Sequence, residues 1–151
     1  MRKMNFLVAV LAIAVMLAAC GGGSSAPAAP AAQQPAPAAG GDVNNGKALF
    51  SQSVLAGNAG CITCHSLEAG KVLVGPTMAG IGTRAASTVP GQTAEEYLRE
   101  SIANTNAFLA KGCNANDPQV QCAAGIMPQD WPQKLSEQQI DDLVAYLLTL
   151  K

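Results

Sequence analysis

Residues 61–65 read Cys-Ile-Thr-Cys-His, and His65 is the only histidine in the 151-residue chain. Two cysteines three apart present their sulfurs on one side of a single helical turn. That spacing matches the two vinyl groups of a haem, so both thiols can add to form thioethers. The histidine directly after Cys64 is then held where its imidazole can bind iron. The pentapeptide is the c-type haem attachment signature. Two other chemistries use a C-x-x-C pair. A thioredoxin-like redox pair sits near a βαβ pattern, which the flanking sequence lacks. A zinc site needs four ligands, and with one histidine it would have to recruit Cys113 or Cys122. The expectation is one covalent haem c, with Cys61 and Cys64 as thioether donors and His65 as an axial ligand of the iron.

With no second histidine, a strong protein donor for the opposite axial position must be a methionine, or the position is open. Five methionines are present, and Met1, Met4 and Met16 fall in the N-terminal stretch discussed below. Met78 follows His65 by 13 residues, too soon to wrap comfortably to the opposite face, and is expected to pack as a core residue against the ring. Met127 follows by 62 residues, in Gly125-Ile126-Met127-Pro128. Pro128 fixes the backbone after it and Gly125 permits a tight approach before it. Met127 is the expected sixth ligand.

Arg2 and Lys3 precede an uncharged run from Met4 to Ala19, the pattern of a secretory signal. The run ends Leu17-Ala18-Ala19-Cys20 and is followed by Gly21-Gly22-Gly23. This resembles the lipobox of bacterial lipoproteins, in which the peptide is cut before the cysteine and that residue carries acyl chains. The alternative is an uncleaved membrane helix, since the run is near the short end of what can span. The small residues before Cys20 and the glycines after it favour the lipoprotein. Either way the positive end stays in the cytoplasm and the remainder is exported. The expected location is the outer face of the cell membrane, held by lipid on Cys20. Several acyl chains hold far more firmly than one.

Residues 1–19 hold two of the nine basic residues and none of the ten acidic ones, so the remainder carries −3. The near balance of charge argues against a nucleic-acid binder, which carries a basic stripe. Residues 20–41 follow the signal as the lipidated cysteine and a linker. Positions 21–41 are eight Ala, four Pro, five Gly, two Ser and two Gln, with no charge and no large side chain. Such a segment buries too little apolar surface to offset its chain entropy. Its Pro-Ala part favours an extended spacer, reaching on the order of 60 Å if fully drawn out.

Residues 42–151 read as one all-α domain. Asp42 is a good N-cap and is followed by Val43, Gly46, Phe50 and Val54 on one helical face. Thr93-Ala94-Glu95-Glu96 and Ser136-Glu137-Gln138-Gln139 are capping boxes. The first leads into Tyr97, Leu98 and Ile102. The second leads into Ile140, Leu143, Val144 and Leu147 at i, i+3, i+4 and i+7. Asp141 and Asp142 complement the positive end of that last helix, and Lys151 its negative end. Loops around residues 56–92 and 106–135 are too long for a compact domain unless something fills or braces them.

Taken together, residues 42–151 resemble a class I monohaem cytochrome c. Gly46 and Phe50 resemble that family's N-terminal helix contact, and Tyr146 its aromatic partner on the C-terminal helix. Gly75-Pro76 resembles the loop whose proline carbonyl accepts a hydrogen bond from the haem-ligating histidine, here His65. Arg84 is placed like the arginine that pairs with a haem propionate; a solvated surface arginine is the alternative. Trp131 packs on or hydrogen-bonds the propionate edge, or simply anchors its loop. The resemblance implies helices packed around one covalently bound haem, with long loops.

The chain departs from the simplest family pattern at Cys113 to Cys122, which enclose a polar insertion. In an oxidising exported compartment these thiols are expected to form a disulfide, worth roughly 2–3 kcal/mol on the chain-entropy estimate. All five cysteines then have a use.

The functional expectation is one-electron transfer, not enzyme catalysis. His/Met ligation closes both axial positions, and methionine raises the reduction potential. No nucleophile–base pair or carboxylate dyad flanks the motif. The anchor and spacer suggest a tethered shuttle, or a haem subunit of a respiratory or photosynthetic complex such as a quinol-oxidising one. The expected partners are therefore redox proteins. The alternatives are a haem enzyme or gas binder with an open or labile sixth position, and a haem-free zinc or thiol module. Aromatic residues are only 4% of the chain, so the haem is expected to supply the missing core bulk and the apo domain to fold poorly.

Overall fold

The computed structural model describes residues 40–151. The signal stretch, Cys20 and nearly all of the expected linker lie outside the described residues. Among those described, six helices and one two-stranded hairpin appear in the order α1 (Val43–Phe50), β1 (Val54–Leu55), β2 (Asn58–Ala59), α2 (Cys61–Cys64), α3 (Ile81–Arg84), α4 (Ala94–Ala103), α5 (Trp131–Lys134) and α6 (Glu137–Thr149). A single 3₁₀ turn, Ala85–Ser87, extends α3. No helix among the described residues is long and apolar enough to cross a membrane.

The three long helices start where the sequence places them. The Asp42 carboxylate accepts from the amides of Asn44 and Asn45 at the head of α1. Thr93 with Glu96 and Ser136 with Gln139 form complete capping boxes on α4 and α6. Each first turn thus has at least one of its orphan amides accepted by the cap side chain. α6 buries Ile140, Leu143, Val144, Tyr146 and Leu147, and α1 and α4 pack on it.

Gly46 sits at the α1–α6 crossing, where a Cβ would run into the Asp142 backbone carbonyl and the Tyr146 Cβ. One turn on, the Phe50 and Tyr146 rings stack at 5.5 Å between centroids, tilted by 57°. The buried Asp142 carboxylate accepts the Asp42 amide (2.7 Å) and the Gln138 side-chain amide (2.9 Å). Its role is therefore a tie between α1 and α6 as well as a favourable charge in the helix's first turns. Asp141 is also engaged, with Arg99 of α4. Arg99 is buried and donates to Glu137 at 2.8 Å as well. The Lys151 ammonium reaches the Gly82 carbonyl (3.1 Å), and the Gly82 amide donates to Leu150 (2.8 Å). Gly41 packs against the backbone of Asp141, so the packed body includes this last residue of the expected linker.

One expectation is corrected. Val54 does not continue the face of α1: the helix stops at Phe50, and Val54 is an exposed strand residue. The all-α reading holds, with one short hairpin added, which turns through Ala56 and Gly57 with both φ positive (47° and 83°). Tight hairpins need that pair of left-handed residues. The hairpin is fixed to α5 through Asn58, whose side chain donates to Asp130 (2.7 Å) and accepts from Lys134 (2.9 Å).

Candidate haem site

α2 is one turn long and carries Cys61 and Cys64 at i and i+3, hence on one face. It is closed by the His65 amide donating to the Cys61 carbonyl (2.9 Å). The chain then loops out and returns, and the Gly75 amide donates to the Cys64 carbonyl (2.8 Å). This return brings Pro76 to the imidazole. His65 Nδ1 lies 2.9 Å from the Pro76 carbonyl. A carbonyl only accepts, so Nδ1 carries the proton and Nε2 the lone pair. The tautomer that can bind iron through Nε2 is thereby fixed.

Gly75 is required beside this ring. A Cβ there would lie 2.5 Å from His65 Cε1 and 2.8 Å from Nδ1, closer than real carbon atoms approach. The loop is further stitched by the Met78 amide to the Ser66 carbonyl (2.8 Å) and by the Thr77 hydroxyl to the Glu68 carbonyl (2.7 Å).

Burial holds the His65 pKa below its ordinary value, against the opposing pull of the Pro76 carbonyl. The ring is kept neutral, the form that ligates metal. Burial also pushes Cys61, as a thiol, up to about 11, with the neighbouring Cys64 adding to it. Redox-active C-x-x-C pairs need the opposite shift, which tells against the thiol-module alternative. The zinc alternative loses its remaining donors, because Cys113 and Cys122 are bonded to each other.

These residues form one wall of an apolar cavity of about 460 Å³. Phe50, Ile81, Leu98, Ile102 and Leu143 furnish much of its depth. Met78 and Met127 both line it. Met78 is buried in the core and tied to Ser66, beside the histidine. Met127 is half-buried and arrives on a separate loop. Within that loop Gly125 has φ +75° and its amide donates to Asn106 Oδ1 (3.0 Å).

Trp131 lines the cavity and Arg84 does not. The Arg84 guanidinium donates to the carbonyls of Thr77 and Ala79, bracing the segment that follows Pro76. The Trp131 indole N–H is buried without a hydrogen-bond partner, as is the Thr105 hydroxyl on the same cavity wall. Buried donors ask for acceptors. A flat, mostly apolar group bearing carboxylates suits an apolar cavity with two such donors. The residues therefore fit a haem bound through Cys61 and Cys64, with His65 as a ligand. Thr105 and Asn106 belong to this site although nothing in their sequence neighbourhood marks them, and Tyr97, legible only as a helix residue, lines it too.

Comparison with known proteins gives a concordant result. The Cytochrome c family model matches residues 43–151. A cytochrome c2 of Rhodopseudomonas palustris is 34% identical over 125 residues, covering 73% of this chain and 99% of its own length. Another cytochrome c2, from a further strain of that species, is 33% identical over 129 residues, covering 76% and 84%. The solved structure of the ferricytochrome c2 from Rhodopseudomonas palustris aligns with 73% of this chain and 99% of that one, at 28% identity and a TM-score of 0.41.

Proposed function

The chain belongs to the cytochrome c family, and on that premise we propose that it is a membrane-tethered one-electron carrier whose haem iron is held by His65 and Met127. As a cytochrome c it binds one covalent haem c and carries electrons; it is not an enzyme in its own right. The haem supplies a one-electron Fe(III)/Fe(II) couple. The protein's own residues do the rest: Cys61 and Cys64 tether, Pro76 fixes the imidazole, and the apolar walls exclude water.

The observation that carries the ligand reading is the placement of the two methionines. Met78 shares the wall of His65 through its bond to Ser66, whereas Met127 enters the same cavity from a separate loop. In haem-loaded protein, Met127→Ala is expected to abolish the weak red-end band of Met-ligated ferric haem. Its midpoint potential should fall by on the order of 0.1 V, a fraction of the roughly 0.8 V that axial ligands span. Met78→Ala should keep the band. The reverse pattern would exchange the two assignments. Absence of the band from the parent itself, with a five-coordinate ferrous spectrum, would favour an open sixth position, and with it a haem-enzyme or gas-binding role.

Tethering rests on the lipobox-like Leu17-Ala18-Ala19-Cys20 and on the uncharged Ala/Pro/Gly run after it. The carrier then works on the outer face of the membrane. It serves as a shuttle between redox proteins or as a haem subunit of an electron-transport complex, such as a quinol-oxidising one. Cys20→Ser is expected to move the protein from the membrane fraction to the soluble one; retention in the membrane would point to an uncleaved helix instead.

A further inference from the structure

The cavity wall contains a second sulfur pair. Cys113 and Cys122 are joined in a disulfide, and both line the cavity. Around them residues 109–122 close on themselves. The Cys122 amide donates to Ala110 (2.8 Å), the Gly112 amide to Val120 (3.0 Å) and the Gln121 side chain to Leu109 (2.9 Å). Lys111 and Gln121 pair as an antiparallel bridge.

This closed loop touches both sides of the site. At its start Gly112, with φ +95°, lies against Pro76: a Cβ there would be 3.6 Å from the proline Cβ. Pro76 is the residue that holds His65. At its end, four residues lead from Cys122 to Met127; Ala123 and Ile126 line the cavity, Ala124 and Gly125 do not, and no other part of the protein buries any of the four. That span has little packing of its own to fix it. What fixes it is the disulfide at one end, the bond from Gly125 to Asn106 in the middle and α5 beyond.

The geometry points to a positioning role for the Cys113–Cys122 disulfide: it holds Met127 at the iron, and opening it yields a form with a free axial position that binds small neutral ligands such as carbon monoxide. This rests on the reading of Met127 as sixth ligand. Opening is a two-electron reduction by a dithiol. The S–S bond breaks, Cys113 and Cys122 each take up a proton and become thiols, and the reductant leaves as its own disulfide. The loop between them, residues 114–121, is exposed along its whole length, so the reductant approaches from that side. Cys61 and Cys64 are spared because thioethers do not exchange with thiols, and His65 keeps its bond to Pro76.

The test uses the haem-loaded chain. Haem staining and far-UV circular dichroism first establish that the Cys113→Ser/Cys122→Ser variant is loaded and helical. Its ferric spectrum is expected to lose the red-end methionine band. Its ferrous form should bind carbon monoxide at least about ten-fold more tightly than the parent, as expected when the competent state changes from minor to dominant. Treating the ferrous parent with dithiothreitol should give the same gain, reversed on reoxidation. Should the variant fail to load, this dithiol arm decides alone. A loaded variant that keeps the band and excludes carbon monoxide overturns the proposal, as does a dithiol-treated parent unchanged in affinity. If Met127→Ala loses the band while the double serine variant keeps it, only this inference falls. A parent that lacks the band from the outset removes the Met127 reading and this inference together.

Discussion

Replacing Cys61 and Cys64 together by alanine is expected to abolish cooperative folding as well as haem attachment. The cavity is not a cleft beside a finished core. Its lining includes Phe50 from α1, Leu55 from β1, Ile81 from α3, Leu98 from α4 and Leu143 from α6. Each of these is also a member of the hydrophobic core. An unfilled apolar cavity costs about 24 cal/mol per Å³ in mutational series. This cavity, about 460 Å³ and partly open to solvent, would at that rate cost at most about 11 kcal/mol, on the scale of the whole stability of a typical domain. Collapse of the walls would recover part of this, but only by abandoning the packing described above. The haem-free double variant should show a shallow, non-cooperative thermal transition and reduced helicity by far-UV circular dichroism. A sharp transition at the parent's temperature would mean that α1, α4 and α6 form a sufficient core without the haem.

Gly46→Ala gives the second large effect, and here two physical terms have opposite signs. Helix propensity alone favours alanine by about 1 kcal/mol. The added methyl, however, would overlap the Asp142 carbonyl and the Tyr146 Cβ. Backbone cannot rotate away as a side-chain tip can, so α1 and α6 must part. Parting them loosens the Phe50–Tyr146 pair and the hydrogen bond from the Asp42 amide to Asp142. Overpacking of this kind costs about 3 kcal/mol, so the steric term wins. The denaturation midpoint of the haem-loaded variant should fall accordingly. A raised midpoint would show that propensity dominates and that the crossing is looser than described.

How much was legible in the sequence follows from the range of each interaction. Asp42, Thr93–Glu96 and Ser136–Gln139 announce their helices because capping is settled within four residues. The attachment motif is legible for the same reason: thioether spacing and the following histidine are one local pattern. Helices α2, α3 and α5 have four residues each, too few to display a period. Val54 was misread because an apolar residue falls four after Phe50 by coincidence, beyond a helix that has already ended. Asp142 reads locally as a helix-dipole charge, yet its main partner is the amide of Asp42, 100 positions away. Arg84 donates to the Thr77 and Ala79 carbonyls, partners that its own neighbourhood, Ile81-Gly82-Thr83, does not reveal. Polar residues that follow a helix, such as Thr105 and Asn106, look like any turn until the cavity shows what they face.

The path by which the chain enters the domain has a mechanical consequence. Any tension arriving through the residues before Gly41 is delivered at its contact with Asp141 and at the bond from Asp42 to Asp142. Those contacts lie on α6, and the element they restrain is α1, whose last residue, Phe50, is part of the cavity wall. Handle and wall share one eight-residue helix. A pull strong enough to peel α1 would breach the pocket, whereas a weaker one is borne by α6 and leaves the iron's surroundings undisturbed.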